Sequence, residues 1–275
     1  MKPFGELEFC DGFLFAATLE DEELCRSVLE RILEIPVKAV KVHKESMIAI
    51  NPEYRGIRMD VYADDEAGTI YDVEMQTTAE GNLPRRSRCY RGQMDVAALE
   101  PGDNVNKLPR SFVIFICTFD PFGDGLYRYT YENTCRENGR FLADGATTVF
   151  LNTRGKSAAG VSQALIDFLC FVESSWYGDS VGEDQLLQKL CNRIRYLKRS
   201  RRMEERYMLF GELLDKERRE GREEGRKEGK AESEAELLSL MKAMIEDDRQ
   251  TDLLQLQADP DFLEAMKVRY SVSSV

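Results

Sequence analysis

The chain has 275 residues, 43% of them hydrophobic and 32% charged, with 50 acidic against 38 basic side chains for a net charge of −12. That length holds one generous domain plus an appendage. The charge argues against coating of nucleic acid by bulk attraction but leaves room for a local basic face. Cys10, Cys25, Cys89, Cys117, Cys135, Cys170 and Cys191 are scattered without a C-x-x-C pair, which speaks against a zinc or dithiol centre and points to a reduced, cytoplasmic chain. His43 is the only histidine and sits in the polar stretch Lys-Val-His-Lys-Glu, so mechanisms needing two histidines are excluded. Glu6, Glu8 and Asp11 interrupt any secretory apolar region. The longest purely apolar run, Phe112–Cys117, is far short of the ~20 residues of a membrane span, and the expectation is a soluble protein with no membrane partner.

Residues 1–35 read as helical, with Leu24, Val28, Leu29, Ile32 and Leu33 at helical spacing and Pro36 as the stop. Residues 44–51 read as a short strand. Ile57–Asp64 then alternates strictly, with Ile57, Met59, Val61 and Ala63 on one face and Arg58, Asp60, Tyr62 and Asp64 on the other. After a turn containing Gly68, Ile70–Gln76 alternates again, Tyr71, Val73 and Met75 opposing Asp72, Glu74 and Gln76. Two such strands predict an antiparallel hairpin. Pairing Asp64 with Ile70 sets Asp60 opposite Glu74 and Arg58 opposite Gln76, all on one face. A helix from Pro84 to about Glu100 carries Arg85, Arg86, Arg88 and Arg91, and Ser111–Phe119 is apolar enough for a strand buried on both faces. Further strands are expected at Leu126–Tyr131 and Thr147–Leu151, and helices at 160–173, 183–198 and 201–214. Composition breaks near Lys216: from there to Glu236, 15 of 21 residues are charged, with Gly221, Gly225 and Gly229 between them. The last 40 residues regain an amphipathic helical pattern.

Two carboxylates facing each other on paired strands repel, and a chain keeps them most readily where a cation sits between. Mg²⁺ suits the place, being a hard ion that takes one or two carboxylates and keeps several waters. The Met75 carbonyl, between the two functional side chains, is a further candidate ligand. Such an ion lowers the pKa of a water ligand and screens charge on a phosphate under attack. Asp60…Glu74-Met75-Gln76 is thus the pattern of a PD-(D/E)XK-type phosphodiesterase site with Gln in place of Lys. Gln76 donates and accepts hydrogen bonds but carries no charge, and Arg58 is the candidate for the missing positive group. The plain alternative for such a hairpin is a half-solvated sheet. Against it stands the order helix, strand, hairpin, Arg-rich helix, buried strand, which is the αβββαβ arrangement of these nucleases.

The stretches Arg58-Met-Asp-Val61, Val73-Glu-Met-Gln76, Leu83–Tyr90, Phe112–Phe122 and Phe150-Leu-Asn-Thr153, with the Glu-Gly-Arg repeats after Glu220, resemble the PD-(D/E)XK nuclease family transposases, also called recombination-promoting nucleases. The resemblance implies an α/β fold, a restriction-endonuclease-like core with a mixed central sheet and a helical C-terminal region. It divides the chain into a nuclease-like core (1–155), a helical extension (156–215), a charged glycine-repeat helix or linker (216–236) and an amphipathic end (237–275). It implies a DNA endonuclease of mobile-element type that uses Mg²⁺ or Mn²⁺. Asp60 and Glu74 map onto the metal ligands, Gln76 onto the usual lysine, and Asp11 onto a further acidic ligand near the first helix. Arg58, Arg85, Arg86, Arg88 and Arg91 suit phosphate contacts with DNA, and Tyr90 suits stacking or a hydrogen bond. A second basic cluster, Lys198–Arg202, reads either as an exposed helix end or as a DNA contact. The four-residue repeat from Glu220, if helical, lines its glycines into a groove between charged stripes, a surface for homo-oligomer formation or else a disordered linker. The alternative function is a weakly active or inactive nuclease-fold module that binds DNA or protein; an RNA-directed nuclease is a third reading.

Overall fold

The computed structural model describes residues 2–43, 47–48, 57–174 and 182–270. The N-terminal stretch expected to be one helix is two: α1 (Gly12–Leu19) and α2 (Glu22–Leu33). The division falls at Asp21, whose carboxylate caps α2 by accepting the Leu24 N–H at 3.1 Å, with Glu22 and Glu23 in the first turn favoured by the helix dipole. Strand β1 (Val40–His43) follows, and the strand expected at 44–51 is described only at β2 (Met47–Ile48), the rest of that stretch lying outside the described residues.

The alternating stretch at 57–64 does not form one strand. It is broken at Met59 and Asp60 into β3 (Ile57–Arg58), which pairs with β2, and β4 (Val61–Asp65), which pairs with both β1 and β5 (Ile70–Gln76). The β4–β5 register is the one expected, with Asp64 opposite Ile70 and Val61 opposite Val73. The expected placement of Arg58 across from Gln76 is wrong: beyond Val61 the chain leaves the sheet, and Arg58 pairs with Met47 in a separate two-stranded ribbon.

Helix α3 (Leu83–Ala97), with Pro84 in its first turn, carries the chain over the sheet to β6 (Ser111–Cys117), which runs parallel to β5. A parallel neighbour needs such a crossover, because a tight turn can join only antiparallel strands. Strand β7 (Arg128–Tyr131) forms the far edge, and β8 (Ala146–Asn152) slots between it and β6. The resulting six-stranded mixed sheet has the order β1-β4-β5-β6-β8-β7, the α/β architecture expected of a PD-(D/E)XK nuclease core. One face meets α1 and α2. The other is covered by α3, whose Leu83, Tyr90 and Met94 pack with Val113, Phe115, Cys117 and Phe150. Strand β5 is therefore buried along its whole length, and the polar face of the hairpin, which the plain alternative left half-solvated, is roofed by a helix.

Helices α4 (Gln163–Glu173) and α5 (Gln185–Lys198) follow, α5 capped by Asp184, which also pairs with Arg31 of α2 at 2.7 Å. The helix expected to stop at residue 214 runs on as α6 (Arg201–Glu246), straight through the charged glycine repeat. Ion pairs four residues apart, Lys216–Glu220 and Lys230–Glu234, favour the helical state and partly offset the glycines. The chain separates into two compact units, Met1–Tyr207 and Met208–Val275. In the second, α6 packs with α7 (Gln255–Ala258) and α8 (Pro260–Arg269) around Leu240, Met244, Leu256 and Met266.

Phe115 lies at the centre of the α3-covered face, fully buried, its ring stacked on Phe150 at 5.3 Å between centroids. Truncation by Phe115→Ala is expected to destabilise the protein by about 3–5 kcal/mol, read as a lowered urea midpoint.

Candidate active site

The site forms where the hairpin opens. Up to Val61 the inner edge of β5 is paired with β4; past it, the β5 backbone needs other partners. The Asp60 carboxylate provides one, Oδ2 accepting the Met75 N–H at 3.0 Å. In return, Glu74 Oε1 accepts the Asp60 N–H at 2.9 Å. These reciprocal bonds hold two acidic side chains against each other at the end of the strand pair. Gly12, the first residue of α1, adjoins them: a Cβ there would sit 3.7 Å from Asp60 Oδ2, so the positive end of the α1 dipole faces this carboxylate.

A third acid stands beside them. Asp72, two residues before Glu74 and on the same face of β5, is completely buried, and neither of its oxygens accepts a hydrogen bond from a neighbouring group. Burial, then the Glu74 charge, raises its pKa well above the usual carboxylate range. Glu74 is pushed up to about 8 by burial and by Asp60. Both shifts favour the protonated forms of the pair over two adjacent buried charges. Strand alternation alone places Asp72 only on a polar face. The signal that would have found it is the continuous apolar pattern of β6, which implies that the neighbouring strand is roofed as well.

The positive charge comes from Arg86 on α3. Its Nη1 donates to Gln76 Oε1 at 2.8 Å, its Nη2 donates to Tyr90 Oη at 2.8 Å, and Nη2 lies 3.5 Å from Glu74 Oε2. The guanidinium carbon sits 5.7 Å from the Phe115 ring centre, a further cation–π support. Gln76 is held from its other end too, Nε2 donating to the Thr78 carbonyl at 2.7 Å. Among the described residues Arg86 brings a cation to Gln76; the Arg58 side chain lies outside the described set. Helical spacing carried this information: Leu83, Tyr90 and Met94 mark the sheet-facing stripe of α3 and bring Arg86 beside it.

The remaining expected site residues separate. Arg85 and Arg88 are exposed on α3. Arg91, expected at a DNA phosphate, is instead tied to the sheet, donating to Ser111 Oγ at 2.7 Å, the Thr147 carbonyl at 2.7 Å and Thr148 Oγ1 at 2.9 Å. Tyr90, expected to stack or to make a hydrogen bond, has a buried ring that packs on Phe115 and an Oη that accepts from Arg86. Asp11 precedes the end of α1 that touches Asp60 without capping it; its Oδ2 accepts from the Glu8 N–H at 2.6 Å and from Lys2 Nζ at 3.2 Å.

The donors that converge are all oxygen: Asp60, Glu74 and, since N–H and C=O of one strand residue point to the same side, the Met75 carbonyl. That set suits a hard divalent cation that keeps several waters, rather than zinc. Among the described residues no group of three or more His, Cys, Asp or Glu side chains is placed to hold a metal ion.

The raised pKa values have a sign. Unfolded, both acids ionise near pH 4; folded, Asp72 and Glu74 keep their protons above that, so the folded state binds more protons and stability falls as pH rises. In EDTA, the urea midpoint is expected to decline as pH rises from about 4.5 through 8, and an Asp72→Asn/Glu74→Gln protein is expected to lose most of that decline.

No curated protein and no solved structure matches the chain. The sequence profile described as PD-(D/E)XK nuclease family transposase matches residues 12–209, a span that runs from the glycine beside Asp60 to the start of α6. With nearly three quarters of its length so matched, the chain belongs to the PD-(D/E)XK nuclease family transposases.

Proposed function

We propose that this protein is a metal-dependent endonuclease that hydrolyses DNA phosphodiester bonds, with Asp60 and Glu74 holding Mg²⁺ or Mn²⁺. The observation that carries the reading is the reciprocal Asp60–Glu74 lock with Arg86 3.5 Å from the Glu74 carboxylate. A divalent cation bound there supplies Lewis-acid charge to the scissile phosphate and acidifies water. The chain's own residues set the frame. Asp60 and Glu74, each fixed by the other's backbone, present their oxygens without conformational search. Asp72 keeps one proton in the acid cluster and so limits the repulsion that ion binding must overcome. Gln76 cannot act as the usual lysine does; it accepts from Arg86 and so aims the guanidinium, whose fixed charge stabilises the transition-state phosphate. DNA is the proposed partner, with exposed Arg85 and Arg88 in reach of its backbone. The glycine-bearing stretch of α6, open on its glycine face, is the proposed surface for self-association.

The alternative, a nuclease-fold binding module, draws on the neutral Gln76 and the net charge of −12. Nicking of supercoiled plasmid separates the two. The intact protein is expected to nick with Mg²⁺ or Mn²⁺ and not with EDTA, Asp60→Asn and Glu74→Gln each to abolish nicking, and Arg86→Ala to slow it by about 10²–10³-fold. A folded protein that binds DNA but nicks with neither ion belongs to the alternative.

A further inference from the structure

The acidic chain has one strongly basic segment that the site does not use. Between Lys189 and Arg206 there are eight basic residues and two acidic ones, in a protein of net charge −12. Helix α5 buries Leu190, Ile194 and Leu197 and leaves Arg195, Tyr196 and Arg199 in solvent; Arg201 and Arg202 open α6 beside them. Some of this charge is answered at home, Lys189 by Glu23, Arg201 by Glu205 and Arg206 by Glu20. Arg199 and Arg202 meet no carboxylate among the described residues. Next to them stands Tyr196, 66% exposed, with the Arg193 guanidinium 5.8 Å from its ring centre. An aromatic held in solvent among arginines is costly for the free protein and useful against a polyanion with stacking faces.

This segment adjoins the acid site. Lys198 lies in charge range of Lys2, Glu8 and Asp11. Lys2 pairs with Asp11 at 3.2 Å, and its carbonyl accepts from Tyr207 Oη of α6 at 2.9 Å. Asp11 precedes Gly12, which meets the Asp60 carboxylate. The line of contacts from the basic segment to Asp60 is thus a few residues long and lies wholly within the first compact unit. Exposed Arg85 and Arg88 lie on α3, which covers one face of the sheet, whereas α5 packs with α1 and α2 on the other.

We infer that the α5–α6 junction, centred on Arg199, Arg202 and Tyr196, is a second nucleic-acid grip, which holds the DNA backbone beside the bond presented to Asp60 and Glu74. The inference rests on the DNA-cleaving reading and names where its substrate is gripped. Tight binding by an acidic protein requires that attraction be local, and here Arg199 and Arg202, which meet no carboxylate among the described residues, stand together at one junction.

The test is a salt titration of duplex binding by fluorescence anisotropy with Ca²⁺ as the divalent ion, on the full chain, Arg199→Ala/Arg202→Ala, Tyr196→Ala, and a control pair, Arg136→Ala/Arg140→Ala, in the exposed loop between β7 and β8. Loss of two phosphate contacts is expected to reduce the slope of log K against log salt by about 1.8 and to weaken binding on the order of tenfold at 100 mM salt. The control pair is expected to leave both unchanged, Tyr196→Ala to weaken binding with little change in slope, and metal-dependent nicking at saturating DNA to survive in every variant. An unchanged slope and affinity in Arg199→Ala/Arg202→Ala, or an equal loss in the control pair, overturns the grip while the nuclease reading stands. Failure of the unaltered protein to bind or nick DNA overturns both.

Discussion

Three acids packed into one corner of a sheet are the condition to which the rest of this structure answers. Asp72 and Glu74 are buried and Asp60 adjoins them. Ionised together in a low-dielectric pocket they would repel strongly. Three devices hold them: the reciprocal backbone bonds of Asp60 and Glu74, the burial that favours a proton on Asp72, and the guanidinium of Arg86. Each device requires a piece of the fold. The backbone bonds need a hairpin that opens at Val61, the proton needs burial under α3, and the guanidinium needs that helix to cross over the end of β5.

The fold delivers these pieces by ordinary means. An antiparallel hairpin sets the register, a crossover helix makes β6 parallel to β5, and the same helix roofs the acidic face. Aromatic packing of Tyr90, Phe115 and Phe150 underneath fixes the height of that roof. The protein thus keeps an arrangement that disfavours its own stability, which is common where charge is stored for chemistry.

The opposition of Asp60 and Glu74 was legible in the sequence because a period of two and a short turn leave little freedom of register. The break at Met59–Asp60 was not, since alternation continues through it and the pairing of Arg58 with Met47 depends on a partner far from the hairpin. Asp72 was passed over because alternation separates two faces without saying which is covered. The choice among four arginines on α3 needed the phase of the helix against the sheet, and that phase places Arg86 at the acids and Arg91 on the strand ends. The sequence left the glycine repeat open as helix or linker, because glycines at ~1 kcal/mol each oppose the helix while charged neighbours of good propensity and i,i+4 pairs favour it; the structure shows it helical within α6.

The two anchored arginines of α3 grip opposite margins of the sheet: Arg86 reaches Gln76, the last residue of β5, whereas Arg91 reaches Ser111 and Thr148 near the starts of β6 and β8. Five residues separate them, a fixed interval along a rigid rod of ~1.5 Å per residue. The helix can neither slide nor spin without breaking one grip. Arg91 therefore works as a ruler for Arg86, setting its azimuth as well as its height. An insertion or deletion of one residue between them would turn the guanidinium by about 100°, away from the acids, with every site residue still present in the chain.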